Sequence, residues 1–306
     1  MNRLWGAAGV GGHDPVRTLV VSGTLTLDTT ERAGVVHAEV PGGSALYAAA
    51  AGSLLLPTRM VGIVGDDFPF DTLAPLWARG GDRSAVDVVP GRTFRWQARY
   101  APDGDTRETL SRDPGVAAGR LPTVPSMPAG GYALLLGSTD PRVQRHVRDA
   151  CATAAVVGLD SMAHWWRDYA ESLRALLAQV DVLFVDEEEL VQATGDTDAT
   201  AAVARVLALG PGVVVVKRGA RGAWLQRRDG VPVATAAAPV RAVVDTTGAG
   251  DAFAGGFMAA LAQRPALPDE EVLRVAAAIA AFAVEAVGPG ALLAADRAAV
   301  QRRLAG

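Results

Sequence analysis

Cysteine is nearly absent: Cys151 stands alone in 306 residues. One thiol closes no intrachain disulfide and builds no cysteine-rich metal site, so the fold must rest on a hydrophobic core. Buried packing rather than reactivity is the expected role of Cys151 itself. Histidine is scarce as well, with four residues at positions 13, 37, 146 and 164. None falls into the HExxH spacing that sets two imidazoles on one helix face, so a zinc centre is not expected. No apolar run reaches the ~18 residues of a membrane helix. The nearest, Ala276 to Val284, is closed by Glu285, Gly288 and Pro289. Met1 to Asp14 lack the charged start and long apolar middle of a secretory signal, and the expected compartment is the cytoplasm. Positive charge is not in excess either: 29 Lys and Arg against 33 Asp and Glu leave a net charge of −4. That gives no broad field for nucleic acid or an anionic membrane, so any phosphate must be held by a local site.

What the chain does have is 50% hydrophobic residues, ample for a sizeable core. Short β-branched runs at 18–21, 60–64, 132–136, 154–159, 181–185 and 212–217 alternate with helical stretches near 44–55, 68–79, 141–152, 167–178, 198–209, 250–263 and 269–287. This is the βαβ rhythm of a largely parallel sheet. In the last helix Val272, Val275, Ile279, Phe282 and Ala286 recur at steps of three and four, the stripe of a helix packed on a sheet. Two segments, about 29–41 and 91–112, break the rhythm and read as antiparallel ribbons, the second around a Pro-Asp-Gly-Asp turn at 102–105. They are expected either to cover a site from water or to be plain surface hairpins. On the second ribbon Phe94, Trp96 and Tyr100 alternate onto one face, which would stack on a ring or serve the ribbon's own packing. Trp165 and Trp166 are expected mainly to pack. Residues 1–16, rich in Gly and Ala, read as a loose tail ahead of one folded unit from 17 to 306.

The segment from Val243 to Phe257 carries the most chemical information. It reads as a strand ending at Val244, a small-residue turn, and a helix starting near Gly250. A helix N-terminus presents unpaired N–H groups and the positive end of the dipole, so Gly248, Ala249 and Gly250 can bring backbone donors to an anion. Asp251 falls in the first helical turn, as either a capping carboxylate or a base aimed at a hydroxyl. No GxxxxGK[ST] occurs, and Gly248-Ala249-Gly250 is followed by Phe253 where GxGxxG needs its third glycine. A P-loop is therefore excluded and a Rossmann fingerprint is a poor fit.

Residues 245–257, DTTGAGDAFAGGF, resemble the C-terminal signature of the PfkB (ribokinase-like) carbohydrate kinase family. Earlier in the chain, SGTLTLD ending at Asp28 resembles the family's substrate-binding aspartate segment, and Pro41-Gly42-Gly43 its N-terminal signature. Val64 to Phe68 resemble VGxDxfG, Asp186 to Glu189 stand at NxxE, and Lys217 to Gly222 resemble the strand-turn before the nucleotide. Two positions depart from the pattern. Tyr47 replaces the asparagine that follows the GG pair, and Asp186 replaces the asparagine of NxxE, adding a negative charge.

The resemblance implies a three-layer α/β/α fold with a mainly parallel sheet and a small β lid. It also implies transfer of the γ-phosphoryl group of ATP to a hydroxyl of a sugar or sugar-like metabolite. A nucleoside acceptor is the alternative, and a binding protein that lost turnover is a third reading. By the same resemblance Asp251 is the general base and Gly248, Ala249 and Gly250 form the anion hole. Asp28, Gly42 and Gly43 face the acceptor by that resemblance, with Tyr47 at the replaced asparagine, while Trp96 on the lid's aromatic face and Ser138 in a strand-end loop are further acceptor-side candidates. Lys217, Arg218, Gly219, Gly222 and Thr247 face the nucleotide. Asp186 and Glu189 attend Mg2+ through water, and Asp245 with Thr247 mark a monovalent-cation site for K+. A homodimer through the lid edges is the expected assembly.

Overall fold

A computed structural model describes residues 16–101, 107–127 and 131–306. The tail expected over 1–16, except its last residue, and the turn at 102–105 lie outside the described residues.

The strands are β1 (Thr18–Ser22), β2 (Thr26–Arg32), β3 (Val35–Gly42), β4 (Thr58–Gly65), β5 (Gly81–Val89), β6 (Phe94–Tyr100), β7 (Arg107–Asp113), β8 (Tyr132–Leu136), β9 (Val156–Asp160), β10 (Val182–Asp186), β11 (Val213–Lys217), β12 (Ala223–Arg227) and β13 (Val233–Thr235). Nine of them form one sheet in the order β13-β12-β11-β10-β9-β8-β1-β4-β5, parallel except for β12, which runs antiparallel to both β11 and β13. The helices are α1 (Ser44–Gly52), α2 (Ala74–Ala78), α3 (Pro141–Ala150), α4 (Ala163–Leu177), α5 (Glu187–Thr194), α6 (Ala199–Leu209), α7 (Ala249–Gln263), α8 (Asp269–Ala283), α9 (Gly290–Ala294) and α10 (Arg297–Ala305).

Helices cover both faces, which is why the central strands are apolar nearly throughout rather than alternating. Val213, Val215 and Phe184 pack with α1, α7 and α8. Val214, Val216 and Leu183 pack with α3 to α6. Cys151 belongs to the second core, fully buried, and burial pushes its thiol up from the ordinary value. In β9, β10 and β11 a polar residue enters only at the carboxyl end, at Asp160, Asp186 and Lys217. Open α/β sheets bind ligands along that edge.

The two ribbons build one sheet rather than two separate hairpins. β2 pairs antiparallel with β3 and β6 antiparallel with β7, and β2 joins β6 in parallel to give the order β3-β2-β6-β7. This small sheet is the lid, and its root is tied to the body through Asp67. The backbone N–H and hydroxyl of Thr93 donate to Asp67 Oδ1 at 2.8 and 2.6 Å, and Arg95 donates to Oδ2 at 2.8 Å.

Three expectations differ from the structure. Asp28 does not end the first strand: β1 stops at Ser22, the Thr24 N–H donates to Ser44 Oγ, and the chain crosses into the lid before Asp28. Val243 and Val244 form no strand. They are 48% and 36% exposed, and the Val244 and Asp245 N–H groups donate to the Val284 carbonyl instead of a sheet neighbour. The last stripe helix stops at Ala283, so Ala286 lies beyond it.

Candidate active site

Small residues bring α1 and α7 into contact. A β-carbon on Gly255 would stand 2.2 Å from the Ala48 carbonyl oxygen, so only glycine there permits this approach. On the other side of α7, Gly256 faces the Ile279 side chain of α8. The first turns of α1 and α7 thereby meet at the carboxyl edge of the sheet. Gly248 caps α7 with φ 73°, Ala249 opens the helix and Asp251 lies in its first turn. The positive end of the helix dipole stands at this turn with Asp251, and within it the Ala249 N–H donates to the Thr246 carbonyl at 3.3 Å.

On the lid side of this turn sit Asp28 and Tyr47, 7% and 2% exposed. Gly42 lets β3 close on Asp28, whose Oδ2 lies 2.1 Å from where a Gly42 β-carbon would be. Burial raises the Tyr47 phenol well above its ordinary value, and the charges of Asp245 and Asp28, then Tyr100 and Asp251, push it further. Tyr47 is thus a neutral hydroxyl set among carboxylates. Trp96 stands in register with Asp28 across β2 and β6, and its indole N–H donates to Thr109 Oγ1 at 3.3 Å. Gly43 and Ser138 lie beneath: the Gly43 carbonyl accepts the Tyr47 N–H, and the Ser138 carbonyl accepts the Ser44 hydroxyl.

Two lid residues reach the loop that leads into α7. Arg32 and Tyr100 face each other across β2 and β6. Arg32 donates to the Val244 carbonyl, and the Tyr100 and Thr247 hydroxyls hydrogen-bond. Thr247 in turn donates its N–H and hydroxyl to Asp245 Oδ1 at 2.9 and 2.6 Å. Asp245 and Thr247 therefore make a local side-chain turn coupled to the lid.

On the opposite side stands Lys217, whose Nζ lies 2.7 and 3.0 Å from the two carboxylate oxygens of Asp160. To reach it the side chain crosses β10, which separates β9 from β11. Burial works against the ammonium, but Asp160 and Glu189, with a smaller pull from Asp251, hold its pKa above the ordinary value. Asp186 and Glu189 form a capping box at the start of α5. Asp186 Oδ1 accepts the Glu189 N–H and Glu189 Oε2 accepts the Asp186 N–H, each at 2.8 Å. Burial pushes the Glu189 carboxyl well up, Asp186 and Asp160 add to it, and Lys217 opposes. Arg218, Gly219 and Gly222 form the turn after β11, closed by the Arg218 N–H on the Gly222 carbonyl at 2.8 Å.

Asp160 was not singled out from the sequence. Its only signal is a carboxylate closing an otherwise apolar strand at the edge where ligands bind. Nor was the cleft of about 470 Å³ that opens beside the lid, lined by Leu25, Ile63, Phe94, Leu121, Val143 and Trp165 among others. Phe94 is paired with Thr26, two rungs from the Asp28 and Trp96 rung, so the cleft opens next to that part of the lid. Trp165 lines it, whereas Trp166 is fully buried in the core.

The pfkB family carbohydrate kinase description matches residues 129–295. A cytidine kinase of Thermococcus kodakarensis is 29% identical over 265 residues, covering 84% of this chain and 92% of that protein. Among solved structures, the nucleoside kinase of Methanocaldococcus jannaschii superposes with a TM-score of 0.76 at 20% identity, covering 96% of this chain and 99% of that one. Arabidopsis thaliana ribokinase complexed with ribose and ATP gives 0.69 at 24% identity, covering 96% and 99%. Those two likenesses confirm the ribokinase-like fold with its lid. With the family match spanning more than half of its length, the chain belongs to the pfkB family of carbohydrate kinases, phosphotransferases that act on hydroxyl groups.

Proposed function

We propose that this chain transfers the γ-phosphoryl group of ATP to a hydroxyl of a nucleoside, with the sugar between Asp28 and Asp251 and the base in the cleft lined by Phe94 and Trp165. The observation that carries the reading is the shared position of Asp251. It belongs both to the charge cluster around Tyr47, on the acceptor side, and to the cluster around Lys217, on the nucleotide side. A base for phosphoryl transfer has to stand where the two substrates meet. The choice of a nucleoside over a free sugar rests on the cleft, whose volume and apolar lining suit a planar ring. The likeness to a cytidine kinase agrees with it.

In this reading Asp28 and the Tyr47 hydroxyl orient the sugar, and Asp251 accepts the proton of the attacking hydroxyl. The N–H groups of Gly248 and Gly250, with that of Ala249 shared with the Thr246 carbonyl, receive the phosphoryl oxygens, and the turn at Arg218 to Gly222 lies along the nucleotide. Magnesium fits the residues in one way. Asp186 and Glu189 each commit one oxygen to the other's backbone, which leaves one apiece for the water shell of a metal held mainly by phosphates. Bound there, it supplies neutralisation of phosphate charge.

The test is ADP release by the purified chain with ATP and Mg2+, screened over cytidine, other nucleosides, and free ribose and fructose. Turnover on nucleosides with none on free sugars is expected. Turnover confined to a free sugar overturns the acceptor, and no turnover on any of them overturns the reading.

A further inference from the structure

We infer that Lys217 is a catalytic residue that carries the charge of the phosphoryl group in transit, and that Asp160 is the positioning residue that holds it there. The inference deepens the ATP-dependent reading above and rests on it.

The placement of the ammonium is the first ground. Nζ lies 3.3 Å from the point where a β-carbon on Gly250 would stand, against the first turn of α7. That is the turn whose N–H groups form the anion hole, so a full positive charge and a helix N-terminus are aimed into the same space. The helix end alone is worth about half an elementary charge.

The second ground is rigidity. A lysine has a flexible four-carbon stem, and its charge acts in a transition state only when the head is fixed beforehand. Here Asp160, 3% exposed, accepts from it with both oxygens, while the lysine side chain is 17% exposed. An ammonium has three donors, so with two engaged by Asp160 one remains for a phosphoryl oxygen. The neighbouring Arg218 is not placed for this: its guanidinium turns back to the Arg221 carbonyl of its own turn, at 3.4 Å.

The chemistry balances with the groups named. The acceptor oxygen bonds to the γ-phosphorus as the bond from that phosphorus to its bridging oxygen breaks. The electron pair stays on the departing ADP, and the hydroxyl proton goes to Asp251. Through this step negative charge spreads over the three outer oxygens of the γ-phosphoryl group, within reach of Lys217 Nζ and the Gly248 to Gly250 amides.

Calorimetric titration with Mg·ADP and with the non-hydrolysable Mg·AMP-PNP tests this without an acceptor. Lys217→Met alone leaves a buried carboxylate without its cation and can fail to fold, so the deciding protein is the charge-balanced Lys217→Met/Asp160→Asn double variant. Circular dichroism is expected to show it folded. ADP affinity should stay within roughly threefold of wild type, AMP-PNP should lose about tenfold, and kcat should fall on the order of 10²-fold with the acceptor KM little changed. Asp160→Asn alone should lower kcat about tenfold with Lys217 still present. A purely structural ion pair predicts that the double variant recovers both AMP-PNP affinity and kcat to within about threefold. That outcome overturns the inference. A wild-type chain that binds neither nucleotide overturns it together with the ATP-dependent reading, and a wild type that binds both with an unaffected double variant overturns the inference alone.

Discussion

The ring of Tyr47 fills the place a β-carbon on Gly248 would need: that carbon would lie 2.2 Å from Tyr47 Cγ and 2.3 and 2.4 Å from the two Cδ atoms. Gly248 also holds φ 73°, which L side chains rarely adopt. The phenol that replaces the family's asparagine is thus packed flush against the cap of α7. Gly248→Ala is therefore expected to lose about 3 kcal/mol of stability, from ~1 for a left-handed alanine and ~1–3 for overpacking. Turnover should fall further than stability alone explains, by roughly 10²-fold, because the N–H groups of the turn are displaced. Urea unfolding and initial rates on the same preparation measure both. A variant of wild-type stability would mean that Tyr47 moves aside freely.

Asp251→Asn should reduce kcat by about 10²- to 10⁴-fold, the usual share of a general base. AMP-PNP affinity and thermal unfolding should stay close to wild type, since the proton is taken only in the transition state. Turnover within a few-fold of wild type would leave Asp251 as the capping carboxylate that its first-turn position alone also permits.

The legible part of this molecule was local. The strand rhythm, the small-residue turn before α7 and the acid in its first turn are properties of consecutive residues, and the sequence shows them directly. What was not legible depends on pairings between distant elements. Lys217 and Asp160 are 57 residues apart and meet across an intervening strand, so no local pattern links them. The Val243-Val244 pair looks like a strand because β-branching favours one, but the Val284 carbonyl captures the backbone N–H of Val244. Likewise the run from Ser22 to Asp28 reads as one strand. The bonds that tie Thr24 to Ser44, and the pairing of β2 with β3 and β6, show that the chain leaves the main sheet before the aspartate.

Glu285 gives a pH-dependent prediction. Its side chain is 2% exposed between Arg241 and Arg303, at 3.0 and 2.7 Å. Burial raises its carboxyl, but the Arg241 N–H and the two guanidinium groups outweigh that and hold it below the ordinary value. The folded pKa is depressed, so the stabilisation is present above the unfolded value of about 4.3 and is lost as pH falls through the folded one. Tm of the wild type should exceed that of Glu285→Gln at pH 6, and the gap should shrink by pH 3.5. Two Tm curves that run parallel over this range would show that the arginine pair contributes no linked stability.

Trp96 supplies the last prediction, because its position in register with Asp28 places an indole beside the aspartate proposed to hold the acceptor. It is only half-buried, so an acceptor that seats against it changes its surroundings, whereas a nucleotide bound on the proposed Lys217 side should not. Intrinsic fluorescence should respond to acceptor more than to ATP, and Trp96→Phe should remove most of the response. Trp165 in the adjoining cleft is the other candidate reporter, and Trp165→Phe is the matched control. Trp96→Ala should raise the acceptor KM about 3- to 10-fold, from the ~0.5–1.5 kcal/mol of an aromatic contact. It should also increase acceptor-independent ATP hydrolysis, as water enters beneath the lid. If the aromatic face of the lid serves assembly instead, Trp96→Ala would leave KM and the hydrolysis rate unchanged while shifting the elution volume on gel filtration. A fluorescence response that survives Trp96→Phe and vanishes in Trp165→Phe would place the ring of the acceptor in the cleft alone, out of reach of the lid strand.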